Sequence, residues 1–294
     1  MSLTWYELII KPRIGLDPEW LSDCMSLAGA CAVTLSDDAD EPILEPPIGS
    51  MPLWSKTRLT GLFLSETDRD AALLLLTQQC PPQSFDVTQH ELADQDWVRA
   101  WMDQFKPMPM GDRLWICPSW EIPPKPDAVN IILDPGLAFG SGTHPTTSLI
   151  CHWLDQADLR GKTVVDFGCG SGILAVAAAK LGAKRVLATD IDPQAWIATR
   201  ENAERNHVQI ELFEPDAVIE GVDLILANIL AQPLIDLEEH FADLLRDGGE
   251  IVLSGILQSQ VAAVSQAYAK HFVCASPIMK ENWALLSAIR RLPF

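Results

Sequence analysis

The segment from Val164 to Leu174 carries three glycines at alternate positions, Gly168, Gly170 and Gly172. It begins as an apolar run and continues into an alanine-rich segment, so the pattern predicts a strand, a tight loop and a helix. The first turn of such a helix leaves backbone N–H groups unpaired, and glycine lets the loop backbone approach a bound molecule closely. The segment therefore predicts a ligand site at this loop.

The spacing of the glycines narrows the choice of ligand. Dinucleotide folds use G-x-G-x-x-G, and Ile173 stands where their third glycine would be; no Gly-Lys-Ser/Thr follows, which also excludes a phosphate-binding P-loop. About twenty residues later the predicted strand 185–189 ends at Asp190, where an acid can accept hydrogen bonds from both ribose hydroxyls. Asp190 alone could simply cap the next helix. Together, the two features favour an adenosyl ligand such as S-adenosylmethionine.

A second segment rich in glycine and hydroxyl groups runs from Leu133 to Thr147 and precedes a predicted helix. Gly140 and Gly142 make this loop deformable, so it could close over a ligand. The hydroxyl of Thr147 lies near the helix N-terminus, where it can cap the helix or reach a ligand carboxylate that the helix dipole also favours. We interpret His144, which precedes a proline, as structural and leave it out of the site.

Asn228 follows the apolar run 222–227, which predicts a buried parallel strand. Ligands of open α/β sheets bind outside the carboxyl ends of the strands. An asparagine amide both donates and accepts hydrogen bonds, so Asn228 could orient an amine lone pair toward an electrophile. The alternative is an asparagine that caps the next helix.

The seven cysteines are dispersed, without a C-x-x-C pair, and the first residues lack the basic and apolar regions of a signal peptide. We therefore expect free thiols and a cytoplasmic location. Cys169 lies in the glycine loop, but no histidine is close to it in sequence, and we interpret it as a small packing residue. We predict no metal site and no membrane-spanning segment.

The formal net charge of −19 argues against binding to a phosphate backbone as the main activity, so we expect no direct nucleic-acid contact. An acidic surface would steer a basic protein partner, although it could equally serve solubility alone. With 294 residues, 48% of them hydrophobic, the chain is long enough for two domains with separate cores.

Residues 1–90 show the order β-α-β-β-α-β, which predicts a small ferredoxin-like domain. RNA-recognition folds share this order, but the segment lacks a basic strand with interleaved aromatic residues. We interpret the domain as a protein-docking module.

Residues 91–106 predict a linker helix, because Trp97, Trp101 and Phe105 recur every four residues on one helical face. The favoured reading of this stripe is packing on a neighbouring domain. Residues 107–294 alternate strands and helices, which predicts an α/β domain built on a mostly parallel sheet.

The chain resembles the bacterial ribosomal protein L11 methyltransferase family over nearly its whole length. The segments that carry the resemblance are residues 96–120, 133–140, 142–147, 166–172, 190–193 and 228–231. The glycine motif by itself would indicate only a class I methyltransferase. The loop before it and the stretch Asn-Ile-Leu-Ala at 228–231 are more specific.

The resemblance implies a class I methyltransferase sheet of seven strands with the last one antiparallel, and S-adenosylmethionine as cofactor. By motif position, it implies that Thr147, Gly168, Asp190 and Asn228 contact the cofactor. It further implies methylation of ribosomal protein L11 at its N-terminal α-amine and at lysine side chains. The N-terminal domain would recognise this substrate, and the linker helix would let that domain reposition.

We expect a monomer in which Asn228 also has the catalytic role of orienting the amine, with water removing the proton. Two alternatives stay open. One is an enzyme of the same fold that methylates another protein or a small amine. The other is a non-catalytic assembly factor that docks L11, although a static binder needs no deformable loop such as the one around Gly140 and Gly142.

Overall fold

The structure is a computed structural model that describes residues 4–13, 15–41, 43–44, 50–81, 83–93, 102, 105–134, 142–217 and 219–292. The chain divides into two compact units, Met1–Met102 and Asp103–Phe294. In the described part of the chain, no helix is long and apolar enough to cross a membrane.

The first unit has the predicted alternation of strands and helices. Its described elements are β1 (Thr4–Pro12), α1 (Pro18–Leu27), β2 (Ala32–Asp37), β3 (Thr57–Phe63), α2 (Glu66–Gln79) and β4 (Phe85–Ala93). The strands form one antiparallel sheet in the order β2-β3-β1-β4. This order confirms the ferredoxin-like prediction.

Local sequence explains both helices of this unit. The Asp17 side chain accepts the N–H of Glu19 and Pro18 occupies the first helical turn, while Ser65 caps α2. Alternate residues of β3 are buried, as expected for a strand with one covered face. The core of the unit includes Leu8, Ile10, Leu21, Met25, Leu59, Phe63 and Leu76.

Strand β4 is longer than the sequence indicates. The sequence pattern predicts a short strand over 85–88 and the linker helix over 91–106, but β4 pairs with β1 from Phe85 to Ala93. The pairing continues because all nine residues of β1 offer partners. Of the predicted linker helix, Met102 is helical and Phe105 is not, and residues 94–101 and 103–104 lie outside the described residues.

The second unit begins with a small sheet of β5 (Met108–Pro109), β6 (Leu114–Cys117) and β7 (Val129–Ile132). Its main sheet contains β8 (Thr163–Phe167), β9 (Arg185–Thr189), β10 (Glu211–Leu212), β11 (Val222–Asn228), β12 (Leu245–Leu257), β13 (Phe272–Cys274), β14 (Ile278–Lys280) and β15 (Trp283–Arg290). The helices are α3 (Pro145–Gln156), α4 (Ile173–Lys180), α5 (Pro193–Arg205), α6 (Ala231–Asp236), α7 (Glu238–Leu244) and α8 (Val261–Tyr268).

The main sheet has the strand order β10-β9-β8-β11-β12-β15-β13, with β14 added on β15. The strands from β10 to β12 are parallel, and β15 runs antiparallel to both β12 and β13. The class I methyltransferase sheet, with its last strand antiparallel, is therefore confirmed. The short strand β14 is an eighth strand that we did not predict.

Helices cover both faces of this sheet, which explains the continuous apolar runs of its central strands. Val164 and Leu226 belong to the core on one face, and Val165 and Ile225 belong to the core on the other. All four side chains are fully buried. Each contributes about 1.5–3 kcal/mol relative to an exposed position, so the central strands are a rigid base for the loops at their ends.

Two element boundaries in this unit differ from the predictions. The sequence pattern predicts one helix over 234–245, but the structure divides it into α6 and α7 at Leu237, and β12 already begins at Leu245. The pattern also predicts a strand over 208–213, which is reduced to Glu211–Leu212 because, among the described residues of this edge strand, only these two pair with β9. Neither difference moves the carboxyl ends of β8, β9 and β11.

Candidate active site

The glycine loop connects β8 to α4 as predicted. Gly168 has φ +76°, and a Cβ built there would lie 2.3 Å from Cγ2 of Ile229. Gly172 has φ +74°, and its Cβ would lie 2.7 Å from Oγ1 of Thr199. L-residues avoid this backbone region, so glycine is needed here for conformation as well as for space. The backbone at Gly168 thus lies directly against the segment that follows β11.

Asp190 ends β9, next to this loop, and its carboxylate joins the two segments. One oxygen accepts the N–H of Gly170 at 2.9 Å, and the other accepts the N–H of Asp192 at 3.0 Å. The indole Nε1 of Trp196 donates to the backbone carbonyl of Asp190 at 2.9 Å. A carboxylate has about four lone-pair positions, so these two bonds fix its orientation and leave acceptor capacity for ligand hydroxyls.

The sequence left open that Asp190 caps the next helix, α5. In the structure a different acid, Asp192, has that role. Asp192 is the N-cap of α5, because its side chain accepts the N–H of Gln194 and Pro193 follows it. Asp190 is therefore not used as the cap of α5. Its side chain is directed to the glycine loop instead.

Thr147 and Asn228, 81 residues apart in sequence, are in contact. The Nδ2 amide of Asn228 donates to Oγ1 of Thr147 at 3.2 Å. Thr147 lies in the first turn of α3 and is buried, whereas Asn228 is half-buried at the carboxyl end of β11. The structure thus brings a helix hydroxyl and a strand-end amide to one point.

His144 is the N-cap of α3. This position agrees with the prediction that His144 is a structural residue. Its Nδ1 accepts the N–H of Thr146 at 3.4 Å, and its ring contacts Trp283 edge to face with centroids 5.0 Å apart. Burial lowers the pKa of His144, and the charge of Glu281 partly opposes this shift. A neutral ring with an unprotonated Nδ1 is the form that can cap the helix.

The four predicted contact residues lie at the end of the sheet where its parallel strands finish, which we call the carboxyl edge. Asp190 and Gly168 directly follow the neighbouring strands β9 and β8, and Asn228 is the last residue of β11. Asp190 is linked to the loop through Gly170, and Thr147 is linked to Asn228. This position, outside the carboxyl ends of parallel strands, is the one at which α/β proteins bind ligands.

Asp166 is a buried acid at this edge that we did not single out from the sequence. It is fully buried, and its Oδ2 accepts the N–H of Ala175 at 2.9 Å, which gives α4 the cap that Gly172 cannot provide. Its Oδ1 has no hydrogen-bond partner among the described residues. Burial raises the pKa of Asp166 to about 7, the Ala175 N–H opposes the shift, and the charge of Asp190 adds to it.

The signal that could have indicated Asp166 is an acid inside an apolar strand, two residues before the first glycine of the loop. An ionised side chain at such a position is costly unless a partner compensates it. The sequence alone does not show which of its neighbours would supply that partner.

Cys169 behaves as a packing residue. It is buried, burial raises the pKa of its thiol to about 12, and Oγ1 of Thr199 donates to its Sγ at 3.2 Å. A thiol with this pKa is not a nucleophile at neutral pH. The deformable loop predicted around Gly140 falls on residues 135–141, which lie outside the described residues.

The residues at this edge fit an adenosyl cofactor. The half-buried carboxylate of Asp190 keeps acceptor capacity beyond its bonds to the N–H groups of Gly170 and Asp192. Among the described residues, no group of three or more His, Cys, Asp or Glu side chains is placed to hold a metal ion. The edge thus presents hydrogen-bonding groups of the kind that ribose hydroxyls and amines require.

Comparison with known proteins identifies relatives over almost the whole chain. Residues 4–291 match the family described as "Ribosomal protein L11 methyltransferase (PrmA)". A "Ribosomal protein L11 methyltransferase" of Nitrosococcus oceani is 50% identical over 293 residues, covering 98% of this chain and 100% of the relative. The protein of the same name from Pseudomonas paraeruginosa is 47% identical, covering 96% of this chain and 98% of the relative.

A solved structure supports the same assignment. The ribosomal protein L11 methylase of Lactobacillus delbrueckii subsp. bulgaricus is 37% identical and aligns with a TM-score of 0.58, covering 64% of this chain and 100% of that chain. With the strand order of the main sheet, these matches confirm the prediction of a class I methyltransferase that uses S-adenosylmethionine. The chain belongs to the ribosomal protein L11 methyltransferase family.

Proposed function

We propose that this protein transfers methyl groups from S-adenosylmethionine to ribosomal protein L11, at the N-terminal α-amine and at lysine ε-amines. The observation that carries the proposal is the edge of the sheet where Asp190 and the glycine loop are hydrogen-bonded and Asn228 contacts Thr147. Family membership supports the choice of L11, since the relatives are named for this substrate.

The cofactor contacts follow from the chemistry of each group at the edge. Asp190 accepts hydrogen bonds from the ribose hydroxyls with the acceptor capacity that its two backbone bonds leave, and Gly168 contacts the cofactor through its backbone. Thr147, in the first turn of α3, directs its hydroxyl and the helix dipole toward a carboxylate. When bound, S-adenosylmethionine supplies an electrophilic methyl group on a positively charged sulfur.

Asn228 is the catalytic residue in this proposal. The acceptor must be a neutral amine, because an ammonium has no lone pair with which to attack the methyl group. The amide oxygen of Asn228 accepts an N–H of the amine and so directs its lone pair, while Nδ2 stays on Thr147. Desolvation at the edge lowers the pKa of the amine, and water takes the released proton. Positioning then supplies most of the rate.

The acidic surface and the first unit are the proposed means of recognising L11. A net charge of −19 attracts a basic partner and raises its rate of association. In this proposal the ferredoxin-like unit recognises L11, the segment after it lets the unit reposition, and the enzyme acts as a monomer in the cytoplasm, where its ribosomal substrate is made.

The direct test is mass spectrometry of recombinant L11 incubated with this protein and S-adenosylmethionine. We expect mass gains in methyl steps, mapped by fragmentation to the N-terminus and to lysines. Asp190→Ala should lose these gains because it loses the ribose acceptor. Asp243→Ala, an acid in α7 outside this edge, is the matched control and should retain them.

The outcomes separate the proposal from its alternatives. Cofactor binding by calorimetry without methylation of L11 would contradict L11 as substrate and favour another protein or amine. Cofactor binding without transfer to any amine in a screen of basic proteins would favour the docking factor. Methylation of L11 lysines but not of its N-terminus would correct only the choice of amine.

A further inference from the structure

The hairpin formed by β14 and β15 is the part of the main sheet that the site described above does not use. Strand β14 lies outside the seven-strand path and pairs only with β15, through Ile278, Met279 and Lys280. Lys280 pairs with Trp283, so the hairpin turns over Glu281 and Asn282. Glu281 adopts φ +55°, a left-handed conformation that a two-residue hairpin loop demands.

The register of the sheet places this turn at the same edge as Asn228. Asn228 of β11 pairs with Ser254 of β12, and Leu257 of the same strand pairs with Trp283. Because β15 is antiparallel, its first residue lies where the parallel strands end. The backbone N–H of Gln258 also donates to the carbonyl of Asn282 at 2.9 Å, which fixes the turn to the end of β12.

Two side chains of the hairpin contact the first turn of α3. The ammonium of Lys280 donates to Oγ of Ser148 at 2.7 Å, and Ser148 is buried. The ring of Trp283 packs edge to face on His144, the N-cap of this helix. Thr147, the residue that contacts Asn228, lies between these two contacts in sequence.

The dipole of α3 does not attract the Lys280 ammonium to its place beside Ser148. A cation near a helix N-terminus meets the positive end of the dipole and is disfavoured there. The Lys280–Ser148 hydrogen bond is charge-assisted, and such bonds are among the stronger ones in proteins. Its geometry comes from the hairpin, which is itself anchored to β12.

We propose that the β14–β15 hairpin is a brace for the first turn of α3, and that Lys280 is a positioning residue that acts through Ser148 on Thr147. The proposal rests on the proposed function, in which Thr147 and Asn228 contact the cofactor. Helix α3 is then held at two points of one rigid sheet, at Asn228 and at the hairpin. Loss of the second point lets the Thr147 hydroxyl move away from Asn228.

The first measurement needs no cofactor. Hydrogen exchange of the amides of 146–150 reports opening of the first turn of α3. Lys280→Met keeps the length of the side chain and removes the donor, so exchange in this segment should become faster. Lys280→Arg keeps a donor and should restore slow exchange. Lys270→Met, an exposed lysine that pairs with Glu239, is the matched control and should exchange like the unmodified protein.

The second measurement is calorimetric titration with S-adenosylmethionine, without any protein substrate. We expect Lys280→Met and Ser148→Ala each to raise the Kd by about fivefold, and the double variant to be no worse than Ser148→Ala, because both changes remove the Lys280–Ser148 hydrogen bond. Ser148→Ala also removes the 3.3 Å contact of Oγ with Nδ1 of His152, so Lys280→Met is the cleaner single variant. Lys280→Arg should bind nearly as tightly as the unmodified protein. If only the charge of Lys280 mattered, Ser148→Ala would bind S-adenosylmethionine as tightly as the unmodified protein. That result would overturn the proposal.

The two readouts keep this inference separate from the proposed function. Unchanged exchange at 146–150 in Lys280→Met overturns the brace, whatever the enzyme methylates. If the unmodified protein methylates no L11 yet exchange and Kd respond as expected, the brace stands and the substrate is wrong. If the unmodified protein does not bind S-adenosylmethionine, the proposed function falls, and the exchange data still decide the brace.

Discussion

The main sheet has a carboxyl edge and an amino edge, formed by the carboxyl and amino ends of its parallel strands. The two edges use acidic side chains in different ways. At the carboxyl edge, Asp166 and Asp190 accept backbone N–H groups of the helix and loop that follow β8. At the amino edge, the carboxylates meet arginines: Arg185 pairs with Glu211 at 2.5 Å and Arg246 with Asp223 at 2.5 Å. Both arginine side chains are about half exposed.

The difference shows where polar groups are available for chemistry. Exposed ion pairs satisfy their own charges in water and contribute little to stability. Acids that bind backbone N–H groups shape the loops, and the half-buried carboxylate of Asp190 keeps part of its acceptor capacity for a ligand. Because ligands of α/β sheets bind at the carboxyl edge, substitutions there should change binding and turnover. Substitutions at the amino edge should change stability slightly or not at all.

The largest effect is expected for Asn228→Ala. We expect turnover on L11 to fall by well over about tenfold, because the amide that positions the amine is lost. Asn228 is half-buried at the end of β11, so the fold should survive, and thermal unfolding checks this. Turnover is measured from initial rates of methyl incorporation. Full activity of a folded Asn228→Ala protein would remove Asn228 from the mechanism.

Glycines at the two edges provide a matched pair. Gly168→Ala combines a left-handed backbone with a Cβ 2.3 Å from Ile229, whereas Gly248→Ala at the amino edge has φ +71° and no atom within 4 Å of its Cβ. Both should lose about 1–2 kcal/mol of unfolding free energy from the backbone alone. Only Gly168→Ala should also lose affinity for S-adenosylmethionine, by about tenfold or about 1.4 kcal/mol.

Chemical denaturation gives the stability of this pair, and calorimetry gives the affinity. Equal affinities for the two glycine variants would contradict the close approach of the cofactor to the glycine loop.

The two edges should also respond to pH with opposite signs. Burial raises the pKa of Asp166 to about 7, so between about pH 4 and 7 the folded protein keeps a proton that the unfolded chain releases. Its contribution to stability is therefore present at low pH and is lost as pH rises through about 7. Burial alone would also raise the pKa of Asp223, but the Thr163 N–H and Arg246 together hold it below its usual value.

The contribution of Asp223 is present above about pH 4 and is lost as pH falls through its lowered pKa. We expect the unfolding free energy of the unmodified protein, relative to Asp166→Asn, to decrease from pH 5 to pH 7.5. Relative to Asp223→Asn, it should decrease from pH 5 to pH 3. Urea denaturation at these pH values measures both differences. If the free-energy difference relative to Asp166→Asn increased with pH, as that relative to Asp223→Asn should, Asp166 would not be a buried neutral acid.

The smallest effect is expected for Arg185→Ala. The pair with Glu211 is about half exposed on both sides, so its removal should cost less than about 1 kcal/mol of unfolding free energy. Methylation of L11 and affinity for S-adenosylmethionine should stay unchanged. A loss of activity in this variant would show that the amino edge is coupled to the site and would remove the contrast between the two edges.

The sequence was most informative where a site is local. Gly168, Gly170 and Asp190 follow strands that are apparent as apolar runs, and each of these residues has a restricted role, so spacing alone indicated the loop and the acid beside it. The ferredoxin-like order of the first unit and the antiparallel last strand also agreed with prediction. The cap of α5 by Asp192 was equally readable, because a cap acts within a few residues.

By itself, the sequence determined the order of the elements, the glycine loop and the residue types at the strand ends, because backbone preferences and hydrophobic periodicity act over short distances. Only the tertiary structure decided that Asn228 contacts Thr147, that Asp166 is buried with a raised pKa, and that Lys280 reaches Ser148. The partners in the two contacts are 81 and 132 residues apart. Such contacts and the loss of water around a side chain depend on strand order and register, and no local pattern encodes them.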